Sequence, residues 1–438
     1  MSQTATTRTP LPEGTIPVAA ALLIAGVATY AFFKIGTDAV GGDEEFKPIS
    51  SLWFATFALA PGFFLPLEQE MGRALSHRRA HEEGGRPVVA KVVRLGALLA
   101  ATVLLAILAA SPLIASDFFD GNWTMVAALA CAFAAYAPAH LARGVCSGSG
   151  RFREYAIIMG SDGIVRIVLC VALAAIGIEA VGAYGFAVAL APLVGVGYVI
   201  GRGRLKTDPG PEATWAEVTP NLGWLLLGSV FAATLLNAGP IATNLLSGDA
   251  DSDRVSQFGY GVLLARIPLF MFQAVQAALL PRLSRQAARG QLVEFGSGLK
   301  RLLVLVLAVG VIGTLGAFAV GPFVLERVFE ADLSGRTLAM LALGSACYMV
   351  ALALAQAVIA LKGHALVSIG WFAGVVAFLL GTWAGGSDPF RRVEIGLLVS
   401  SVTAMIVFAF ALRNRLSTGV VPDEQSVLEA MTDQPMEA

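Results

Sequence analysis

The stretch LLVLVLAVGVIGTLGAFAVGPFVL (302–325) contains no charged residue. An α-helix rises about 1.5 Å per residue, so about 20 apolar residues cross a hydrocarbon core about 30 Å thick. Lipid offers the backbone no hydrogen-bond partner, so a run like this one is helical unless it closes a barrel. Barrel strands alternate apolar and polar residues over about 10 positions, and 302–325 does not alternate. Eleven further runs of the same kind lie near 15–34, 50–67, 92–114, 123–142, 155–177, 181–201, 221–246, 257–280, 337–361, 364–385 and 394–412. The expected fold class is therefore an all-α polytopic membrane protein with twelve transmembrane helices.

Composition agrees. Of 438 residues 56% are hydrophobic and 14% charged, with a mean hydropathy of +0.73. A soluble domain carries about 25% charged residues, which excludes a large soluble core. Transport, anchoring or chemistry within the membrane are the function classes left. The first run is long and its flank holds only Arg8 against Glu13, so it reads as an uncleaved span rather than a signal peptide. The net charge of −1 gives no reason to expect a nucleic-acid partner.

Orientation follows from Lys and Arg in the connectors. The N-terminus and the connectors after every second helix hold 21 of the 30, including Arg73, Arg78, Arg79, Arg151, Arg202 and Arg285. The opposite compartments hold 7, and Arg166 and Arg266 lie within spans. Those opposite connectors are acidic instead: Asp38, Asp43, Glu44 and Glu45; Asp117 and Asp120; Asp249, Asp251 and Asp253. Both termini are expected in the cytoplasm, with the chain in the cytoplasmic membrane.

The segment RGRLKTDPGPEATWAEVTP (202–220), with Pro209, Gly210 and Pro211 together, reads as a cytoplasmic linker. Six spans lie on each side of it. The predicted second and eighth spans both end in Leu-Pro (Pro66, Pro281) before a basic stretch. The chain is thus expected to divide into a cytoplasmic tail (1–14), an N-lobe (15–201), the linker, a C-lobe (221–412) and a disordered cytoplasmic tail (413–438). Duplicated halves of like orientation recur among transporters, with the substrate path between them.

Two buried cations stand out. A guanidinium at a helix centre costs at least about 2.5–3.5 kcal/mol and usually faces a partner or a water-filled cavity. Arg166 has Asp162 four residues before it on the same helix face, so the two either form a structural pair or serve a cavity. Arg266 has no acidic neighbour in its own run, and Gln273 shares its face. It serves a cavity or is tied to Asn237 or Asn244 of the seventh run, themselves seven residues apart. If both arginines reach one cavity, the ligand is anionic, because the guanidinium fork matches phosphate or carboxylate.

Other candidates read blandly. Glu68 and Glu70 are expected to be solvated at the interface. Asp249-Ala-Asp251-Ser-Asp253 begins like a calcium loop, but Arg254 stands where Gly is needed and Tyr260 where a bidentate Glu belongs. The four cysteines have no zinc or disulfide spacing. Gly144-Val-Cys-Ser-Gly148-Ser-Gly150 lacks the Lys of a phosphate loop. No catalytic residue, metal or cofactor is implied.

Two segments carry a family resemblance: RGVCSGSGRFREYAIIMGSDGIVRIVLCVAL (143–173), followed by AYGFAVALAPLVG (183–195), and ARIPLFMFQAVQAALLPRLSRQAARG (265–290). They resemble the polysaccharide-flippase branch of the multidrug/oligosaccharidyl-lipid/polysaccharide exporter superfamily, whose layout matches essentially the whole chain. The resemblance implies a transporter of polyprenyl-diphosphate-linked saccharide, working by alternating access, with Arg166 and Arg266 as cavity cations. Its partners would be membrane lipid, the anionic lipid-linked saccharide, and glycosyltransferases or a polymerase of the same pathway. A drug or metabolite antiporter of the same superfamily is the alternative, and would need a cavity carboxylate. A membrane glycosyltransferase would need Asp43, Glu44 and Glu45 to hold a metal.

Overall fold

The computed structural model describes residues 15–219, 222–247, 252–269, 272, 291–361 and 363–417. Gln273, the tail 1–14, residues 418–438 and the acidic positions Asp249 and Asp251 lie outside the described residues. The long helices are α1 (Thr15–Val40), α2 (Asp43–Ala80), α3 (Arg86–Ala109), α4 (Trp123–Gly148), α5 (Phe152–Ala175) and α6 (Val181–Gly201). They continue as α7 (Leu222–Leu246), α8 (Ser252–Ala265), α9 (Leu292–Ala319), α10 (Gly335–Ala360), α11 (His364–Ala384) and α12 (Pro389–Ser417). Among the described residues, eleven helices are long and apolar enough to span a membrane. Of the eighth expected run (257–280), 270–271 and 273–280 lie outside the described residues; its described part holds the 14-residue α8, whose ladder turns at Arg266, before Pro268.

The pairing plan repeats. Helix α1 packs on α5, α2 and α3 on α4, and α4 and α5 on α6. Six helices later α7 packs on α11, α8 and α9 on α10, and α10 and α11 on α12. The two sets meet where α2 lies along α7 and α8.

Helix α2 is longer at both ends than hydropathy suggests. Asp43, Glu44 and Glu45 occupy its first turn and His77, Arg78 and Arg79 its last, which complements the helix dipole. It also continues through Pro48, Pro61 and Pro66 rather than ending at Pro66. A proline removes the donor that would meet the carbonyl four residues earlier. Membrane helices tolerate this when a neighbour supplies the bond. Asn237 of α7 does so here, donating Nδ2 to Phe57 O at 3.3 Å, the carbonyl that Pro61 leaves open.

Small residues let helices touch. A Cβ on Gly144 would sit 2.8 Å from Glu68 O, and one on Gly148 would sit 2.8 Å from Gly72 O, so α4 meets the α2 backbone directly. The Gly-rich junction that resembled a phosphate loop is a packing surface.

The linker is strapped down. Arg78 donates to both carboxylate oxygens of Glu217 (2.6 and 3.0 Å) and to Gly84 O and Pro211 O (3.0 and 2.7 Å). Arg73 donates to Glu217 O, Lys91 to Ala213 O, and the Arg86 backbone to Asp208 O. The Arg78 guanidinium holds the Glu217 carboxyl below the usual carboxylate range. At the far end of the bundle, Tyr260 of α8 donates to Asp43 Oδ1 (2.8 Å) and lies 2.5 Å from Thr37 Oγ1. Lys34 of α1 pairs there with Glu330 at 2.9 Å. Asp43 is thus a tie between helices.

Candidate functional site

A cavity on the linker side of these ties is lined from α1, α2, α4, α5 and α7 and by Arg266. Asp162, Arg166, Asn237 and Arg266 all face it, so four of the sequence candidates meet. Tyr136, His140 and Arg143 join them.

Arg166 and Asp162 bond to each other. Arg166 Nη2 donates to Asp162 Oδ2 at 2.8 Å, and Tyr136 OH donates to the same oxygen at 3.0 Å. The guanidinium lies 4.9 Å from the centre of the Phe57 ring. Arg166 Nε and Asp162 Oδ1 are buried and have no hydrogen-bond partner. The pair is formed, yet each member keeps one polar atom for something else.

Arg266 is 5% exposed and, among the described residues, has no carboxylate partner. Its Nη1 donates to Asn237 Oδ1 at 3.0 Å and its Nη2 to Leu236 O. That carbonyl is the one Pro240 opens in α7, four residues on. Asn237 and Arg266 therefore close two proline gaps, one in α2 and one in α7. Arg266 is thus bonded to Asn237 and also lines the cavity. Asn244 is not brought to the site. Its Nδ2 donates to Phe118 O at 3.3 Å, near the far end of the bundle.

The solvated reading of Glu68 and Glu70 is corrected: the two are 5% and 2% exposed. Glu70 pairs with Arg73 at 2.9 Å. Glu68 Oε1 accepts from Tyr155 OH (2.9 Å), and Oε2 accepts from Arg143 Nε (3.0 Å) and faces His140 Nδ1 (2.9 Å). Arg143 Nη2 lies 2.7 Å from that same His140 nitrogen. Hydropathy missed this cluster because Pro66 suggested a helix end, and three of its four members sit in other helices. The one local signal was His140 and Arg143 sharing a helix face three residues apart.

The arrangement favours anions. Arg143 and Arg166 each have a carboxylate, while Arg266 brings a cation with only neutral acceptors, in a low-dielectric setting where an added negative charge is attracted strongly.

No family model matches the chain. An uncharacterized protein of Mycobacterium tuberculosis is 24% identical over 376 residues, covering 82% of this chain and 81% of its own length. A second uncharacterized protein of that organism is 25% identical over 306 residues, 66% of each chain. Among solved structures, an inward-facing multidrug resistance MATE family transporter of the MOP superfamily superposes with a TM-score of 0.68 at 16% identity, covering 92% of this chain and 98% of its own. A mutant of the Vibrio cholerae MATE transporter VcmN superposes with a TM-score of 0.67 at 13% identity over 94% and 98%. The chain has the fold of the MATE transporters.

Proposed function

We propose that this chain is a membrane transporter that flips a polyprenyl-diphosphate-linked saccharide, or a related cell-envelope intermediate, across the cytoplasmic membrane. The observation that carries the reading is Arg266, a buried guanidinium with no carboxylate partner among the described residues, facing the same cavity as Arg166. The proposed frame is twelve spans with cytoplasmic termini, two six-helix lobes (15–201 and 221–412) and the 202–220 linker. The repeated pairing plan supports it. Transport would proceed by alternating access, the lobes rocking about α2 and α7. Closed ties at the far end (Thr37, Asp43, Tyr260) and a cavity on the linker side suit an inward-open state. The head group would cross along the arginines while the bulk of its chain stays in lipid.

The superfamily's drug or metabolite antiporters offer a second reading, favoured by the likeness to multidrug MATE transporters and by the buried Glu68. Proteoliposomes separate the two. Flipping of a fluorescent prenyl-diphosphate saccharide supports the first reading, and proton-driven uptake of a cationic dye without flipping supports the second. Arg266→Ala alone is ambiguous, since it also strips Leu236 O of its donor. Combining it with Pro240→Ala restores a backbone donor to that carbonyl. A folded double variant that flips at the rate of Pro240→Ala alone removes Arg266 from the anion site.

A further inference from the structure

A second cavity lies across the α2–α7 contact, walled by α2, α7, α10 and α11. Among the described residues no Lys, Arg, Asp or Glu lines it, and its polar side chains include Gln69, Ser229, Gln356 and His364. Its walls are built from Leu225, Tyr348, Leu352 and Trp371, and Trp224, 47% exposed, stands in its wall next to the surface. The arginine cavity and this one share Phe57, Pro61, Leu236 and Leu269 as a common partition. That partition is thin and weakly bonded. Between α2 and α7 the polar contacts there are Asn237 Nδ2 to Phe57 O at 3.3 Å and Ser229 Oγ to Pro61 O at 3.4 Å, long for such bonds.

Two compartments of different chemistry, one cationic and one mostly apolar and aromatic, therefore meet at a single wall. We propose that the apolar cavity is the seat of the proximal prenyl chain of the substrate, while its phosphate is read by Arg166 and Arg266 across the partition. The proposal rests on the anionic lipid-linked substrate named above. It commits to the substrate's own chain rather than to a bilayer phospholipid, because the partition places the apolar cavity directly beside the guanidiniums. In a prenyl phosphate the first isoprene carbon is bonded directly to a phosphate oxygen, whereas the acyl chains of a phospholipid are set off from its phosphate by glycerol esters. Entry from lipid gains little from the hydrophobic effect, since both phases are apolar. The cavity's role is geometric: it fixes the first isoprene units so that the phosphate meets the arginines.

Photolabelling tests this on the full chain in nanodiscs. The probe is a prenyl phosphate with a diazirine in its first isoprene units. Saturable labelling of peptides from 222–246, 335–360 and 364–384, competed by inorganic diphosphate, is expected. Leu352→Trp fills the apolar cavity and should lower that labelling about tenfold. It should also narrow the advantage of unlabelled prenyl phosphate over diphosphate as competitor. Saturable, diphosphate-competed labelling confined to α3 and α9 overturns the chain seat and leaves the head-group site standing. Labelling of the same cavity by a diazirine phosphatidylcholine, insensitive to diphosphate, assigns it to bulk lipid and overturns the proposal. Absence of any diphosphate-competed labelling overturns both the seat and the transported substrate.

Discussion

Asp162→Asn should be the most damaging single change at the Asp162–Arg166 pair, and the geometry sets its size. Removing one partner of a buried ion pair costs about 3–5 kcal/mol, because the remaining charge is left in low dielectric. The Arg166 side chain is 3% exposed and that of Asp162 is 15% exposed. Losing the carboxylate strands the deeper charge. The Phe57 face, 4.9 Å away, is already in contact in the wild type and so does not offset the loss. The cost is then about 3–5 kcal/mol. Arg166→Gln strands the carboxylate instead, but Asp162 borders the cavity and still accepts from Tyr136. Its loss should be smaller, about 1–3 kcal/mol. The double variant leaves two neutral amides and should recover most of the stability. Thermal unfolding of purified protein in detergent reads the order: wild type and double variant highest, then Arg166→Gln, then Asp162→Asn. Asp162→Asn as stable as wild type, or a double variant below both singles, refutes the reasoning. Transport separates the roles. If Arg166 reads phosphate, the stable double variant fails to flip substrate; normal flipping makes the pair structural.

Arg266→Lys keeps charge but loses the fork, and should slow flipping at least tenfold while retaining a donor for Leu236 O; unimpaired flipping removes the need for a fork there. Because Arg78 holds Glu217 below the usual carboxylate range, the linker strap gains its full stabilisation above about pH 4.3 and loses it as pH falls through the lower folded value. Limited proteolysis within 202–220 should therefore be flat from neutral pH down to mild acid and rise only in stronger acid, and Glu217→Gln should be cleaved faster at neutral pH. Topology is checked by single cysteines at Glu44 and Asp208 in a background lacking the four native cysteines: an outside-only reagent should label the first and miss the second, and the reverse overturns the orientation.

Hydropathy located the helices because a span needs uninterrupted apolar residues, as in 123–142 and 181–201, whose starts match α4 and α6. It misplaced ends where charged residues continue a helix. Predicted 50–67 became Asp43–Ala80 and predicted 394–412 became Pro389–Ser417, since charged residues at helix ends suit the interface, and in α2 they also suit the dipole. The arginine pair was legible because a charge within a span is conspicuous. The Glu68 cluster was not, as its partners come from α4 and α5 and no short-range pattern joins them. Nor could sequence show that Asn237 and Arg266 close the gaps left by Pro61 and Pro240, which depends on how α2, α7 and α8 cross.

Arg266 stands where the α8 ladder is interrupted. Its own amide bonds back only three residues, to Leu263 O at 3.1 Å, and Tyr30 OH of α1 donates to that same carbonyl at 2.6 Å. A charge carried on an unbroken helix can follow a ligand only if the entire rod shifts. A charge carried on a joint can swivel with one residue's dihedrals, at the cost of a few hydrogen bonds. A ligand drawn to Arg266 would therefore act on a joint rather than on a rod, and that joint is tied to α1 through the Tyr30 phenol.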